Sequence, residues 1–152
     1  MSFPYIEENF ISLSECQRLI DFADENKSSN VSRDDTYSTD IEWIDHGATY
    51  YGNNVDPITL NDDEVVIVRW PVGTFMKPHF DSNNIHTPNK VAAMLYLNDN
   101  FEGGNLIFEN KMVKPEPGKL IIFENTKNLH YVDKVEGSER YALSFWYYSV
   151  DK

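Results

Sequence analysis

The sequence predicts a mainly β protein of the α+β class, an antiparallel sandwich or jelly roll with one N-terminal amphipathic helix. The chain has 152 residues, of which 41% are hydrophobic and 14% aromatic, which suits one compact domain with a substantial core. From Glu64 onward, short runs rich in β-branched and aromatic residues alternate with turn-forming residues. One segment near the N-terminus repeats its apolar residues at helical intervals.

The helix is expected over about Leu13 to Asn26. Ser12 and Glu15 have the spacing of a capping box, which marks the start of a helix. The apolar residues that recur at helical intervals are Leu13, Cys16, Ile20 and Ala23. Because this stripe should face a core, we expect Cys16 to be a small buried residue.

Between the helix and the first long strand lies an acidic, turn-rich stretch, residues 27–63, with strand-like segments at Asp40–Ile44 and Ala48–Tyr51. We expect a single domain over residues 1–152. In it, residues 1–63 supply the helix and a variable region that faces substrate, and residues 64–150 form the jelly-roll core.

Seven segments are predicted as strands: EVVIVRW, GTFMKPHF, VAAMLYLN, GNLIF, KLIIF, LHYV and RYALSFWYY. Turn residues separate them and no helical period intervenes, which predicts antiparallel pairing. We also expect a hairpin near residues 136–138 to place the strand of Arg140 beside the strand of His130.

The charge is uneven along the chain. The net charge is −12, and residues 1–64 hold 15 acidic against 3 basic residues, whereas residues 65–152 hold 10 of each. This balance argues against a nucleic-acid partner, which needs clustered lysine and arginine. No apolar run approaches the roughly 20 residues of a membrane span, and a single cysteine indicates a reducing compartment. We expect a cytoplasmic protein without a membrane partner, as a monomer or weak dimer.

Three potential metal ligands come from two predicted strands. His79 and Asp81 are two positions apart, so they share one face of a strand, and His130 lies in another apolar strand. Two histidines and one carboxylate match the facial triad of non-haem Fe(II) oxygenases. Without His130, a surface histidine beside a solvated aspartate would explain the pair equally well. His46 and His86 lie in polar stretches and are expected to be solvated.

Arg140 begins the last predicted strand, among apolar and aromatic residues. Alternation predicts one face with Arg140, Ala142, Ser144, Trp146 and Tyr148, and an opposite face with Tyr141, Leu143, Phe145 and Tyr147. A guanidinium is costly to bury without an anion, so a carboxylate is expected at its planar end. The alternative is an arginine at an exposed strand end that pairs with Glu139 or a neighbouring acid.

Together these segments resemble the prolyl 4-hydroxylase-like branch of the 2-oxoglutarate- and Fe(II)-dependent dioxygenases. The resemblance covers roughly Glu64 to Tyr148. It rests on the order and spacing of VRWPVGTFMKPHFD, AAMLYLND, FEGGNLIF, KPEPGKLIIFEN and LHYVDKVEGSERYALSFWYY. It implies a double-stranded β-helix, which is the jelly roll expected above. It also implies Fe(II), 2-oxoglutarate as co-substrate, dioxygen, and ascorbate as a candidate reductant.

The resemblance implies roles for single residues. His79, Asp81 and His130 match the iron ligands. Arg140 matches the basic residue that binds the far carboxylate of 2-oxoglutarate, and Tyr96 matches a tyrosine that supports the same carboxylate. Three further residues match the walls of the co-substrate pocket: Ser144, Trp146 and Trp70, the last standing where the family usually has tyrosine.

The reaction implied by the resemblance is hydroxylation of an unactivated C–H bond, with release of succinate and carbon dioxide. The favoured substrate is a prolyl residue of a peptide or protein, hydroxylated at C4, and the acidic N-terminal part favours a basic chain around it. Asp81 favours hydroxylation, since related halogenating enzymes lack this carboxylate. The alternatives are the same chemistry on a free amino acid or other small molecule, a nucleic-acid demethylase, and a non-enzymatic metal-binding jelly roll.

Overall fold

The computed structural model describes residues 4–25, 42–45, 48–51, 56–59, 65–79, 90–124 and 129–148. These residues form one helix and fourteen strands. The bounds are α1 Leu13–Glu25, β1 Tyr5–Glu7, β2 Glu42–Asp45, β3 Ala48–Tyr51, β4 Asp56–Thr59, β5 Val65–Trp70, β6 Met76–His79, β7 Lys90–Tyr96, β8 Glu102–Gly103, β9 Leu106–Phe108, β10 Lys111–Val113, β11 Leu120–Glu124, β12 His130–Val132, β13 Val135–Glu136 and β14 Arg140–Tyr148.

Most of the strands belong to two antiparallel sheets. The major sheet has six strands in the order β1-β11-β7-β14-β5-β4, and the minor sheet has four in the order β10-β9-β12-β6. Two short pairs, β13 with β8 and β2 with β3, complete the described strands. Strands far apart in sequence are neighbours in both sheets, as expected for a jelly roll. The predicted double-stranded β-helix with one helix is therefore confirmed.

One face of the major sheet packs against the minor sheet. The buried residues that form this inter-sheet core are Val68, Trp70, Met76, Ala92, Tyr96, Leu106, Phe108, Val113, Ile121, Phe123, Val132, Val135 and Ala142. Because side chains alternate along a strand, the contributions of β5 and β7 to this interior are spaced two or four residues apart: Val68 and Trp70, and Ala92 and Tyr96.

The other face of the major sheet packs against α1. The buried residues of this outer core are Cys16, Leu19, Ala23, Ile67, Ala93, Leu95, Leu97, Leu120, Tyr141 and Leu143. Burial raises the pKa of the Cys16 thiol, so this cysteine is a protonated core residue, as the sequence indicated.

The start of α1 follows the predicted capping pattern. The backbone N–H of Glu15 donates to Ser12 Oγ at 3.1 Å, which satisfies one of the otherwise unpaired amides of the first turn. The predicted apolar stripe is partly wrong, since Leu13 is 68% exposed and Leu19 is buried in its place. The helix therefore packs through Cys16, Leu19 and Ala23.

The expected pairing of the His130 and Arg140 strands is wrong. β12 lies in the minor sheet and β14 lies in the major sheet, between β7 and β5. The connecting residues cross from one sheet to the other, and β13 pairs with β8 on the way. Val135 is held there by its N–H, which donates to the carbonyl of Thr74 at 3.0 Å. His130 and Arg140 therefore belong to opposite sheets.

The edges of the major sheet come from residues before Glu64. β1 pairs with β11, and β4 pairs with β5, and the sequence analysis had predicted neither strand. Within the described ranges, no helix has the length and apolar character needed to cross a membrane.

Candidate active site

β6 and β12 bring two of the predicted iron ligands together. The Cα atoms of His130 and His79 are direct partners across the two antiparallel strands. Residues directly opposite each other in such a pair share a face, with Cβ atoms about 4.5–5.5 Å apart. The register therefore places both histidine positions on one face at a separation suited to a common ion.

A bulge in β6 sets this register. Two positions beyond His130, Val132 pairs with Met76, so that Lys77 and Pro78 together stand against a single residue of β12. Proline has no N–H for the ladder, and bulges commonly re-aim side chains beside active sites. Without the extra residue, His79 would fall out of line with His130 and onto the other face.

The His130 ring is fixed by aromatic packing. The residue is only 4% exposed. Its ring centroid lies 4.6 Å from that of Phe123, in an edge-on arrangement, and 5.8 Å from that of Phe108. These two phenylalanines pack on each other at 5.3 Å. The two phenylalanine rings hold the imidazole in one orientation inside the inter-sheet core.

The third predicted ligand, Asp81, lies outside the described residues, as do the side chains of His79 and Trp146. Among the side chains that the structure does describe, no group of three His, Cys, Asp or Glu residues is gathered as a metal site. The complete triad therefore stays a prediction.

Arg140 is fully buried, and its guanidinium contacts a backbone carbonyl, a hydroxyl and a thioether. Its Nε donates to the carbonyl of Gly104 at 3.0 Å. Its Nη2 lies 3.5 Å from Tyr96 Oη and 3.5 Å from Met94 Sδ. The Cζ atom stands 4.3 Å from the centre of the Trp70 ring and 5.1 Å from that of Tyr96. These contacts fix the position of the guanidinium in the interior.

The alternative of an exposed Arg140 paired with Glu139 is wrong. Glu139 instead forms an ion pair with Arg69, with Nη1 and Oε2 2.5 Å apart. Glu139 precedes β14 and belongs to the rim of the outer core, whereas the next residue turns into the interior.

Strand register gathers the other predicted pocket residues around Arg140. Trp70 is its direct partner on β5, and Tyr96 is the partner of Ala142, one step along the same face. Ser144 is the next residue of this face and is half-buried. Burial raises the pKa of the Tyr96 hydroxyl, against a smaller lowering by Arg140, so the hydroxyl stays protonated and can donate.

His130 and Arg140 border the same interior from opposite sheets. The phenylalanines that pack on His130 and the aromatic residues that pack on Arg140 all belong to the inter-sheet core. The fold thus places the His130 imidazole on one wall and a buried cation on the other. A ligand that binds a metal at one end and carries a carboxylate at the other suits this arrangement.

Sequence reasoning missed Gly104, which was interpreted only as part of a turn. Its carbonyl binds Arg140, and its φ of +62° lies in the left-handed region. The double glycine at 103–104 is the signal that could have pointed to it, since paired glycines often mark a close approach of another group.

A cavity of about 480 Å³ lies along β6 and β12, the strands that carry the histidine pair. Its lining residues are Phe75, Met76, Lys77, Pro78, Tyr131, Val132, Asp133 and Lys134. The lining is thus mainly apolar and aromatic, with two lysines and one aspartate.

Comparisons with known proteins agree with this geometry. The model of a family described as the 2OG-Fe(II) oxygenase superfamily matches residues 65–148. Prolyl 3-hydroxylase 2 of Rattus norvegicus is 34% identical over 70 residues, 41% of this chain and 10% of that protein. The chain therefore spans about a tenth of that curated relative's length.

Two solved structures share the fold at low identity. A Pseudomonas putida prolyl-4-hydroxylase superposes with a TM-score of 0.69 at 17% identity, covering 97% of this chain and 92% of that one. A prolyl hydroxylase from Trichoplax adhaerens, in complex with a hypoxia inducible factor peptide fragment, gives 0.64 at 19%, covering 95% and 82%. The family match spans more than half of the chain and the fold agrees. The chain belongs to the 2OG-Fe(II) oxygenase superfamily.

Proposed function

We propose that this chain is an Fe(II)- and 2-oxoglutarate-dependent dioxygenase that hydroxylates a prolyl residue of a peptide or protein at C4, with release of succinate and carbon dioxide. The observation that carries the proposal is the buried Arg140 guanidinium, which contacts the Gly104 carbonyl and the Tyr96 hydroxyl in the interior that His130 also borders. We place the protein in the cytoplasm on its single cysteine.

The residues present fit the co-substrate. Arg140 supplies a buried, fixed cation for the far carboxylate, and a charge-assisted hydrogen bond of this kind contributes about 1.5–3 kcal/mol. Tyr96 supplies a protonated hydroxyl 3.5 Å from Nη2, so both groups can bind the same carboxylate. Ser144 stands on the same face of β14 and suits a polar contact along the co-substrate.

The residues also fit the metal. His79 and His130 are direct partners in register, and Asp81 follows His79 by two positions, which adds the carboxylate of a facial triad. When bound, ferrous iron would activate O2, the oxidant, and 2-oxoglutarate would supply two electrons by its oxidation to succinate and carbon dioxide, so that one oxygen atom of O2 enters the C–H bond and the other enters succinate. The protein's own part is to hold the imidazoles in place, orient the co-substrate through Arg140 and exclude water from the inter-sheet core. Ascorbate is proposed as the reductant that keeps the iron ferrous.

A peptide or protein substrate is supported by the relatives. The similar proteins are named as prolyl hydroxylases, and one of them is in complex with a peptide fragment. Two charge patterns give opposite expectations for the residues that flank the proline. The acidic residues 1–64 favour basic flanks, whereas Lys77 and Lys134, which line the cavity along β6 and β12, favour acidic ones.

Hydroxylation at C3 is a second candidate. The specific observation that favours it is the 34% identity to a protein named prolyl 3-hydroxylase 2. The two reactions share the same site residues and differ only in which C–H bond the substrate presents, so the product decides between them.

The decisive experiment incubates the protein with Fe(II), 2-oxoglutarate, ascorbate and proline peptides whose flanking residues are lysine, glutamate or alanine, with free proline as a parallel substrate. We expect succinate to form in step with hydroxyproline in a peptide, and NMR of the product distinguishes C4 from C3. Turnover of free proline alone would favour the small-molecule alternative. No succinate under any condition would favour the non-enzymatic one.

A further inference from the structure

Gly104 contacts Arg140 in two ways, although 36 positions separate them. Its carbonyl accepts a hydrogen bond from Arg140 Nε at 3.0 Å, and its N–H donates to the carbonyl of Lys134 at 3.2 Å. The Gly104 peptide is therefore anchored on one side to the chain that follows β12, and on the other side it holds the arginine.

The Arg140 side chain also occupies the space that a side chain at position 104 would need. A Cβ built there would lie 2.9 Å from Arg140 Cδ, 3.0 Å from Phe101 Cε1 and 3.2 Å from Val135 Cγ2. Contacts below about 3.0 Å require something to move, because packed interiors leave no slack. The arginine stem therefore runs through the space that a side chain at position 104 would take.

The Gly104 carbonyl determines which edge of the Arg140 guanidinium can bind a carboxylate. A carboxylate can bind two neighbouring N–H groups, either Nε with Nη2 or Nη1 with Nη2. Because the Gly104 carbonyl takes Nε, the edge that includes Nε is occupied. The edge formed by the two terminal amino groups lies on the side of Tyr96, whose Oη is 3.5 Å from Nη2.

We propose that Gly104 is a positioning residue for co-substrate binding: it gives the Arg140 stem its path and turns the terminal amino groups of the guanidinium towards the far carboxylate of 2-oxoglutarate. This inference rests on the proposed function, because it assumes that 2-oxoglutarate is the ligand of Arg140.

The test compares Gly104→Ala with Gly137→Ala. Gly137 has a φ of +86°, so alanine there brings a similar left-handed strain, but the nearest atom to its Cβ would be Glu102 N at 3.9 Å. The control therefore shares the backbone strain without the crowding of Arg140. The affinities of the Mn(II)-loaded proteins for 2-oxoglutarate and for pyruvate, which lacks the far carboxylate, are measured by calorimetry.

We expect Gly104→Ala to weaken 2-oxoglutarate binding about tenfold or more, since a charged hydrogen bond is misaligned, and to change pyruvate binding less than about twofold. Gly137→Ala should change neither affinity. In an Arg140→Ala background, Gly104→Ala should have no further effect on 2-oxoglutarate binding, because its target is gone.

Three results would overturn the inference: unchanged 2-oxoglutarate binding in Gly104→Ala, equal losses for both ligands, or an equal loss in the Arg140→Ala background. If Gly104→Ala folds only when Arg140 is also alanine, the recovered melting temperature supports the proposed path of the stem. If Gly104→Ala failed to fold with either arginine or alanine at position 140, the clash of the new methyl group would be with Phe101 and Val135, which would contradict the inference. A wild-type protein that binds no 2-oxoglutarate would overturn the proposed function itself.

Discussion

The two faces of the major sheet are both buried, yet their polar groups differ in kind. On the outer face, Tyr141 packs under α1 and donates its hydroxyl to Asp24 at 2.6 Å, with Glu139 Oε1 3.3 Å away. On the inner face, Arg140 is completely buried and contacts the Gly104 carbonyl, the Tyr96 hydroxyl and the Met94 thioether. Adjacent residues of one strand thus serve two different purposes.

The comparison teaches how to separate stability from function in this fold. The outer face joins charged and polar groups to each other across α1, β14 and β5. The inner face holds a buried cation in place through a carbonyl, a hydroxyl and a thioether. Substitutions on the outer face should therefore lower stability, and those around Arg140 should lower ligand affinity.

The largest effect is expected from the outer core. Ile67 is fully buried between α1 and the sheet, so Ile67→Ala should lower the free energy of unfolding by about 2–5 kcal/mol. The affinity of the folded fraction for 2-oxoglutarate should not change. Urea denaturation and calorimetry measure the two quantities, and Ile67→Val, expected to cost about 0.5–1.5 kcal/mol, is the control. A loss of 2-oxoglutarate affinity in the folded fraction would contradict the assignment of stability to the outer face and ligand affinity to the inner face.

Arg140→Met should show the opposite pattern. Methionine keeps an unbranched apolar stem but removes the buried charge, so the melting temperature should stay the same or rise. Binding of 2-oxoglutarate should weaken about a hundredfold, near 2.7 kcal/mol. A large fall in melting temperature with unchanged affinity would make Arg140 a structural residue.

Tyr141→Phe removes the hydroxyl that joins β14 to α1 through Asp24. At neutral pH we expect a loss of about 1 kcal/mol in the free energy of unfolding, the usual value of such a hydrogen bond. Denaturation curves of the two proteins give the difference. A variant as stable as the wild type would show that this bond contributes little to the outer face.

The same pair of proteins should differ in pH dependence. Burial, and next the hydrogen bond to Asp24, raise the pKa of the Tyr141 phenol. The unfolded chain loses this proton at about pH 10 while the folded protein keeps it, so the stability from this group is complete below pH 10 and falls above it. The advantage of the wild type over Tyr141→Phe should therefore shrink as the pH rises past 10. If the stability advantage of the wild type grew above pH 10, folding would lower the pKa of Tyr141 rather than raise it.

Ser12→Ala should give the smallest effect. It removes the acceptor of the Glu15 N–H at the start of α1, which should cost about 1 kcal/mol or less because this end of the helix is exposed. Denaturation of the variant, with Ser14→Ala as a control on the same exposed turn, measures it. A change in 2-oxoglutarate affinity would contradict the separation of the two faces.

Local sequence patterns predicted the helix and the faces of the strands. They could not predict features that depend on pairing between distant parts of the chain. Helical spacing gave α1 to within one residue at its end, and strand alternation correctly put Arg140 and Tyr141 on opposite faces. The sheet membership of β12 and β14 was missed because it depends on a crossing that turn residues alone do not reveal. The role of Gly104 depends on a residue 36 positions away, which no local pattern specifies.

The central claim is that His79, Asp81 and His130 hold one ferrous ion, and that Arg140 binds the far carboxylate of 2-oxoglutarate beside it. Anaerobic addition of Fe(II) and 2-oxoglutarate, followed by visible spectroscopy for the charge-transfer band of the chelate, tests it most directly. The wild type and His46→Ala should show the band, and His79→Ala and His130→Ala should lack it. A band of full strength in either of the last two variants would contradict the account.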